Sequence, residues 1–352
     1  MANFPARLVV SLAAVLLAAC ASSGKKDAPG EQAAPPKPNP FKACRVRHRG
    51  EREMIDETSA TLQETVCGAS LWFDGLFGER DPAAARTAHG RLEVSTANSE
   101  FEGEETRIRF DARVELPAFE RRLSAFIGRD NEDEVSQDRS EGLGLRSQAN
   151  ELSQVEDWFA GVGYKLKETY GVHSEFRVGV RGVRHPVMFV QLRNSLTAYE
   201  DDNDRVTLRL TPFVNHLDGA GVTTGISFDH ALAATRLARW SAIGTVHEDS
   251  PGVLWRTAAL LYQSLKGYRA IALEVFERGA TGAPEPLLEY GLRTIYREPF
   301  FKRRLFAELV VGYSWPRVDP ALERDGSAGF TFGLELPFGK EAEPSLAPEK
   351  IP

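Results

Sequence analysis

The sequence predicts an all-β fold, a transmembrane antiparallel β-barrel of about 12–14 strands with a short N-terminal helical segment. Three observations lead there. From residue 91 to residue 338 apolar and polar residues alternate with period two, the mark of strands with two unlike faces. The alternating segments run to about ten residues, the length a tilted strand needs to cross hydrocarbon. Their polar face carries full charges of both signs, and aromatics stand towards the ends of the apolar stripes at Tyr199, Trp240, Trp255, Tyr313, Trp315 and Phe338, where interfacial girdles form.

The chain begins with a basic residue, Arg7, and a short apolar run from Leu8 that closes on Leu17-Ala18-Ala19-Cys20. That is the form of a bacterial lipoprotein leader, which is cut before its cysteine. Residues 1–19 therefore read as signal peptide and Cys20 as the lipidated N-terminus. Ala19-Cys20-Ala21 also suits an ordinary secretory cleavage site, and on either reading the chain is exported. Ala21, in place of an acidic residue, matches lipoproteins sorted to the outer membrane. Residues 20–40 are rich in Pro, Ala, Gly and charge and read as a disordered tether.

Residues 41–84 read as a helical periplasmic segment. Met54, Ile55, Thr58, Leu62, Val66, Ala69, Trp72, Phe73 and Leu76 recur at helical spacings, with Gly68 as a break. With Cys20 taken by lipid, Cys44 and Cys67 remain of three cysteines, and in an oxidising compartment such a lone pair is expected to form a disulfide.

Residues 89–339 read as the barrel. Residues 106–116 set Ile108, Phe110, Ala112, Val114 and Leu116 against Arg107, Arg109, Asp111, Arg113 and Glu115. Residues 175–181 and 205–211 repeat the pattern, and residues 330–338 give Phe330, Phe332, Leu334, Leu336 and Phe338 on one face. Residues 121–129 and 231–245 are weakly patterned, which is why the count stops short of a firm fourteen. Short connections near Pro117 and at residues 168–170, 200–204, 266–267 and 297–301 alternate with mostly longer ones at 100–105, 131–153, 277–285 and 317–327. Short turns at one mouth and longer loops at the other is the barrel habit, and an even count leaves both termini at the periplasmic mouth. Residues 340–352 form a polar tail.

Composition narrows the partners. A net charge of -7 argues against nucleic acid. After the leader no apolar run reaches the ~20 residues a membrane-spanning helix needs, so any crossing falls to strands.

The segment Trp72-Phe73-Asp74-Gly75-Leu76-Phe77-Gly78, residues 101–133, residues 289–317 (EYGLRTIYREPFFKRRLFAELVVGYSWPR) and the closing residues 330–339 carry a resemblance. They resemble a group of uncharacterised proteobacterial envelope proteins that pair a short helical N-terminal part with an outer-membrane barrel. The resemblance runs from about Trp72 to Gly339 and implies architecture, not an activity.

Chemistry-bearing motifs are sparse. No two of the seven histidines have a zinc-type spacing, and there is no G-x-S-x-G, Walker or dinucleotide sequence. No metal, cofactor or catalytic residue is assigned. Ser227 with His230 is the pair that resembles an outer-membrane hydrolase's Ser and His, without the His-Ser-Asn-Gly-type pattern of the phospholipases. The acidic residues 131–141 (NEDEVSQDRSE) read as a solvated loop bridged by divalent cations to lipopolysaccharide, since they lack an EF-hand's spacing.

The charged face says most. Arg107, Arg109, Arg113, Arg177, Arg181, Arg205, Arg209, Arg293 and Arg297 are expected inside the barrel, with Asp111, Glu115, Glu175, Glu274, Glu289, Glu308 and Glu335. Paired, they knit the interior of a structural barrel; unpaired in part, they line a narrow aqueous path whose Arg excess favours anions. The expectation is a non-enzymatic outer-membrane lipoprotein, either an envelope component or a narrow solute pore. An outer-membrane lipid-modifying hydrolase and a soluble periplasmic β-rich lipoprotein are the competing readings. Expected partners are outer-membrane lipid, lipopolysaccharide and, during biogenesis, the barrel assembly machinery.

Overall fold

The computed structural model describes residues 88–339 apart from 102, 117–121, 139–155, 302–303, 318 and 322. The leader, Cys20, the tether, the helical segment with Cys44 and Cys67, and the polar tail lie outside the described residues.

Alternation becomes fourteen strands: β1 (His89–Ser99), β2 (Gly103–Leu116), β3 (Leu123–Asn131), β4 (Glu156–Lys165), β5 (Val172–Arg181), β6 (Val187–Glu200), β7 (Asp204–Asn215), β8 (Gly219–Ala233), β9 (Arg236–His247), β10 (Leu254–Ser264), β11 (Ala270–Ala280), β12 (Leu287–Phe300), β13 (Leu305–Pro316) and β14 (Ser327–Phe338). A six-residue helix, α1 (Glu132–Gln137), follows β3. Each strand pairs antiparallel with its chain neighbours, and β14 returns to β1 from Gly90↔Phe338 to Ser99↔Gly329, closing the barrel. Closure pairs every backbone group that an open sheet would leave at its edges.

Burial follows the pleat. On β11 Ala270, Ala272, Glu274 and Phe276 are buried while Ile271, Leu273, Val275 and Glu277 are exposed. In a closed barrel the buried face is the interior, so the charges point in and the aliphatic residues point out. Val275 is 57% exposed, Val311 54% and Phe332 45%, whereas Glu274 is 3% exposed. Ala112, Val114, Leu116, Leu336 and Phe338 share the outward face by register, yet are buried. Phe338, expected in the girdle, stacks on Phe110 at 6.1 Å and lies over Gly90, where a Cβ would stand 2.6 Å from its ring.

The weakly patterned stretches are strands nonetheless, β3 and β9 among them. Their inward faces carry Phe126, Gly128, Leu237 and Ile243, so the contrast between faces fades although the backbone period does not. Inward phenylalanines lie flat over glycines of the neighbouring strand. A Cβ on Gly128 would meet the Phe159 ring at 2.5 Å, one on Gly161 the Phe126 ring at 2.5 Å, and one on Gly179 the Phe189 ring at 2.5 Å. The rings thus lie along the wall, in the space those glycines leave.

Two connections differ from expectation. β2 already begins at Gly103, because Glu100 N–H donates to the Ala328 carbonyl at 3.1 Å and Phe101 N–H to Ser327 Oγ at 3.1 Å, tying the link against β14. β12 continues through residue 300, and the turn comes at Phe301, which takes a φ of 46°. The link between β4 and β5 turns at Tyr170 (φ 54°) and Gly171 (φ 74°), a pair of left-handed residues that suits the strands' twist.

Candidate functional site: the charged lumen

Register carries the predicted charges to one surface. Arg107 and Arg109 on β2 stand beside Ser95 and Glu93 of β1, with Asp111, Arg113 and Glu115 on the same face. Arg177 and Arg181 on β5, Arg205 and Arg209 on β7, Glu289 and Arg293 on β12, Glu308 on β13 and Glu335 on β14 also lie on the inward rows. Arg107, Arg181, Glu289 and Arg293 are buried.

These charges pair along the wall. Glu274 sits between Arg293 Nε and Arg256 Nη2, the latter at 3.4 Å, and both guanidiniums lie over the Phe276 ring at 5.4 Å. Arg278 Nε donates to Glu289 at 2.8 Å. Arg297 spans from β12 to Glu335 at 2.9 Å and Glu308 at 3.8 Å, stacked over Phe306 at 4.4 Å. On the other side Arg113 reaches Glu175, which Arg177 also holds at 2.8 Å. That link crosses β3 and β4 because Ser124 and Gly163 leave the wall low between them: a Cβ on Gly163 would meet Glu175 Oε1 at 2.5 Å. Low dielectric makes such pairs geometrically demanding, and cation–π contacts add about 0.5–2 kcal/mol each.

Part of the acidic segment, residues 135–138, is not the solvated loop expected. Residues 135–138 fold into the barrel. Val135 packs against Phe126, Phe159 and Phe189, and its carbonyl accepts from Gln191 Nε2 at 2.7 Å. Ser136, Gln137 and Asp138 are buried. Asp138, at φ 58°, ends α1; its carboxylate accepts from Thr211 Oγ1 at 2.8 Å and pairs with Arg193 Nη1 at 3.2 Å. Asp tolerates this left-handed geometry where most residues do not. Arg193, on the inward face of β6, offers the carboxylate a partner that a local sequence window does not contain.

Where this loop meets the next, Gln137 Nε2 and Asn215 Nδ2 donate to Asp218 at 2.9 and 2.6 Å, and Arg181 stands 3.7 Å away. Burial pushes the Asp218 carboxyl up, but the two amides and Arg181 outweigh it and hold it below the usual carboxylate range.

Ser227 and His230 do not meet. Ser227 shares the inward row with Thr207 and Ser241, while His230 lies outward, its Nδ1 2.7 Å from Asp204. Three residues apart on a strand means opposite faces. The sequence reading missed Arg193, Asp229, Arg239, Arg256 and Arg278. The signal was present as charges two residues from small or apolar inward residues, Arg256 from Ala258 and Arg278 from Phe276.

No protein-family model matches the chain, and no curated protein matches it. Among solved structures, an outer membrane protein of Vibrio cholerae, OmpT, is 12% identical with a TM-score of 0.39, over 71% of this chain and 96% of that one. A bacterial polysaccharide outer membrane secretin is 12% identical at TM-score 0.41, covering 72% and 99%. An anion-selective porin from Comamonas acidovorans is 9% identical at 0.37, also covering 72% and 99%. Values this low mark a general likeness among barrels and carry no information on function. Fold and lumen by themselves define the class: a closed fourteen-stranded antiparallel barrel, apolar outside and ion-paired inside.

Proposed function

We propose that this chain is a non-enzymatic outer-membrane barrel that forms a narrow pore for small anions, anchored by lipid on Cys20 at the periplasmic mouth. The observation that carries it is the inverted polarity of the wall: Leu273 and Val275 are exposed beside a Glu274 that is 3% exposed. Only a surrounding hydrocarbon makes that outer face favourable. The bore is favoured over a solid interior because the ion pairs and phenylalanines follow the wall, and α1 narrows the lumen from one side. Arginines outnumber carboxylates on the strands of the β5–β9 wall, where Arg177, Arg181, Arg193, Arg205, Arg209 and Arg239 stand with Glu175, Glu200 and Asp229, while Asp138 and Asp218 reach Arg193 and Arg181 from the loops. That excess sets the preference for anions.

A purely structural envelope role is favoured by a second observation, the plug-like seating of residues 135–138. Reconstitution of the full chain into planar bilayers separates the two. Small, stable conductance steps with a reversal potential shifted towards the chloride equilibrium value support the pore. Membranes that stay silent although the protein is inserted leave the structural role. Mass spectrometry of the mature protein is expected to find diacylglycerol on Cys20 and no free thiol on Cys44 or Cys67. Lipid, lipopolysaccharide and the barrel assembly machinery remain the partners this reading implies.

A further inference from the structure

The strands β7, β8 and β9 form an open pocket of about 220 Å³ lined by Arg205, Thr207, Arg209, Ser227, Asp229, Arg239 and Ser241, with Ile226, Ala242 and Ile243 as its apolar part. Register explains its shape. The middle row, Thr207↔Ser227↔Ser241, consists of short hydroxyl side chains, so the wall is low there. The row on one side is Arg205↔Asp229↔Arg239, and the row on the other begins Arg209↔Gly225. Three guanidiniums therefore frame a floor of hydroxyls, with Asp229 as the one carboxylate among the lining residues.

Two of the arginines are positioned by other residues. Arg239 is 8% exposed and grips Asp229 with both ends of its fork, Nε–Oδ1 at 2.5 Å and Nη2–Oδ2 at 2.7 Å. Arg209 lies over Gly225: a Cβ there would stand 3.3 Å from its Nε and 3.5 Å from its Nη2. Arg205 stands at the rim, paired with Glu200.

We infer that this cavity is a binding site for a small oxyanion group, a phosphate, sulfate or carboxylate carried by a solute no larger than a few heavy atoms. Asp229 takes the Nε–Nη2 edge of Arg239 and Glu200 that of Arg205, so the attraction for such oxygens is the charge of three guanidiniums against two carboxylates, with the hydroxyl floor supplying donors. The volume suits a group of a few heavy atoms, below the about 300–1,000 Å³ of pockets that take drug-sized molecules. The site faces the lumen, away from the outward row, so it takes a solute from the aqueous phase and not the phosphate of a membrane lipid. It sits towards the mouth that holds both described ends of the barrel. The inference stands whether or not the bore conducts.

The test is equilibrium binding of inorganic phosphate to the purified full chain in detergent micelles, by calorimetry at low ionic strength. Saturable one-to-one binding is expected, with sulfate competing. Arg209→Gln is expected to weaken it about tenfold or more, in line with the loss of a charge-assisted pair. Ser227→Leu, which fills the floor without changing charge, is expected to abolish it, while Arg269→Gln at the exposed turn before β11 leaves it unchanged. Heat-modifiable gel mobility checks that each variant is folded. Adding anionic phospholipid to the micelles distinguishes the sources: competition by lipid would overturn the lumenal assignment. Absence of saturable binding in the folded wild type, or equal binding by Arg209→Gln, would overturn the site. Binding without conductance would retire the pore and keep the site; conductance without binding would do the reverse.

Discussion

Replacing Glu274 by Gln removes the negative charge that separates two buried guanidiniums. Arg256 and Arg293 side chains are 9% and 6% exposed, and Glu274 is 3% exposed, so water screens none of the three well. Breaking a buried pair from one side costs about 3–5 kcal/mol, because the remaining charge is left uncompensated. A Gln carbonyl still accepts one hydrogen bond, which returns about 1 kcal/mol. The stacking of both arginines on Phe276 is unaffected. The net expectation is a loss of about 2–4 kcal/mol. Urea unfolding in micelles, followed by tryptophan fluorescence and by gel mobility without boiling, reads it. The triple change Arg256→Met, Glu274→Leu, Arg293→Met removes every charge at once and is expected to lie within about 1 kcal/mol of wild type. If Glu274→Gln falls within about 0.5 kcal/mol of wild type, the level of an ordinary surface substitution, the lumen is wet enough to screen its charges and the reasoning fails.

Phe332→Arg sets a charge on the outward face and is expected to cost about 2–4 kcal/mol near the bilayer midplane and to impair assembly. Thr331→Ser, one residue away and inward, is expected to be tolerated; a cysteine scan of residues 329–338 with a water-soluble thiol reagent should show the matching period of two. Gly161→Val drives a Cβ to within 2.5 Å of the Phe126 ring and the Val178 carbonyl, and is expected to lose about 1–3 kcal/mol in the same unfolding assay. Asp218 is held below the usual carboxylate range, so its contribution is present in full above its ordinary value near ~4 and is lost as pH falls through the lowered one. Hydrogen exchange at residues 135–138 should therefore accelerate only on acidification below that window, and Asp218→Asn should abolish the acid step.

How much of this was legible beforehand depends on the range over which each property is decided. Strand identity and the facing of Ile108, Arg109, Phe332 and Thr331 are local, because a pleated backbone points successive side chains to opposite sides. The same parity already parts Ser227 from His230. A run of such strands with charges on one side and aliphatics on the other leaves few folds besides a closed barrel. Which charges meet was not legible. Arg113 and Glu175 lie far apart in sequence and meet only because Gly163 and Ser124 keep the wall low between them. Residues 135–138 look like solvated loop until the barrel closes and sets Arg193 and Thr211 across from Asp138. The cavity between Arg209 and Arg239 exists because the pairing register lines up three short hydroxyl residues from three strands. Alternation is written residue by residue, whereas register, closure and the partners they create are properties of strands held side by side.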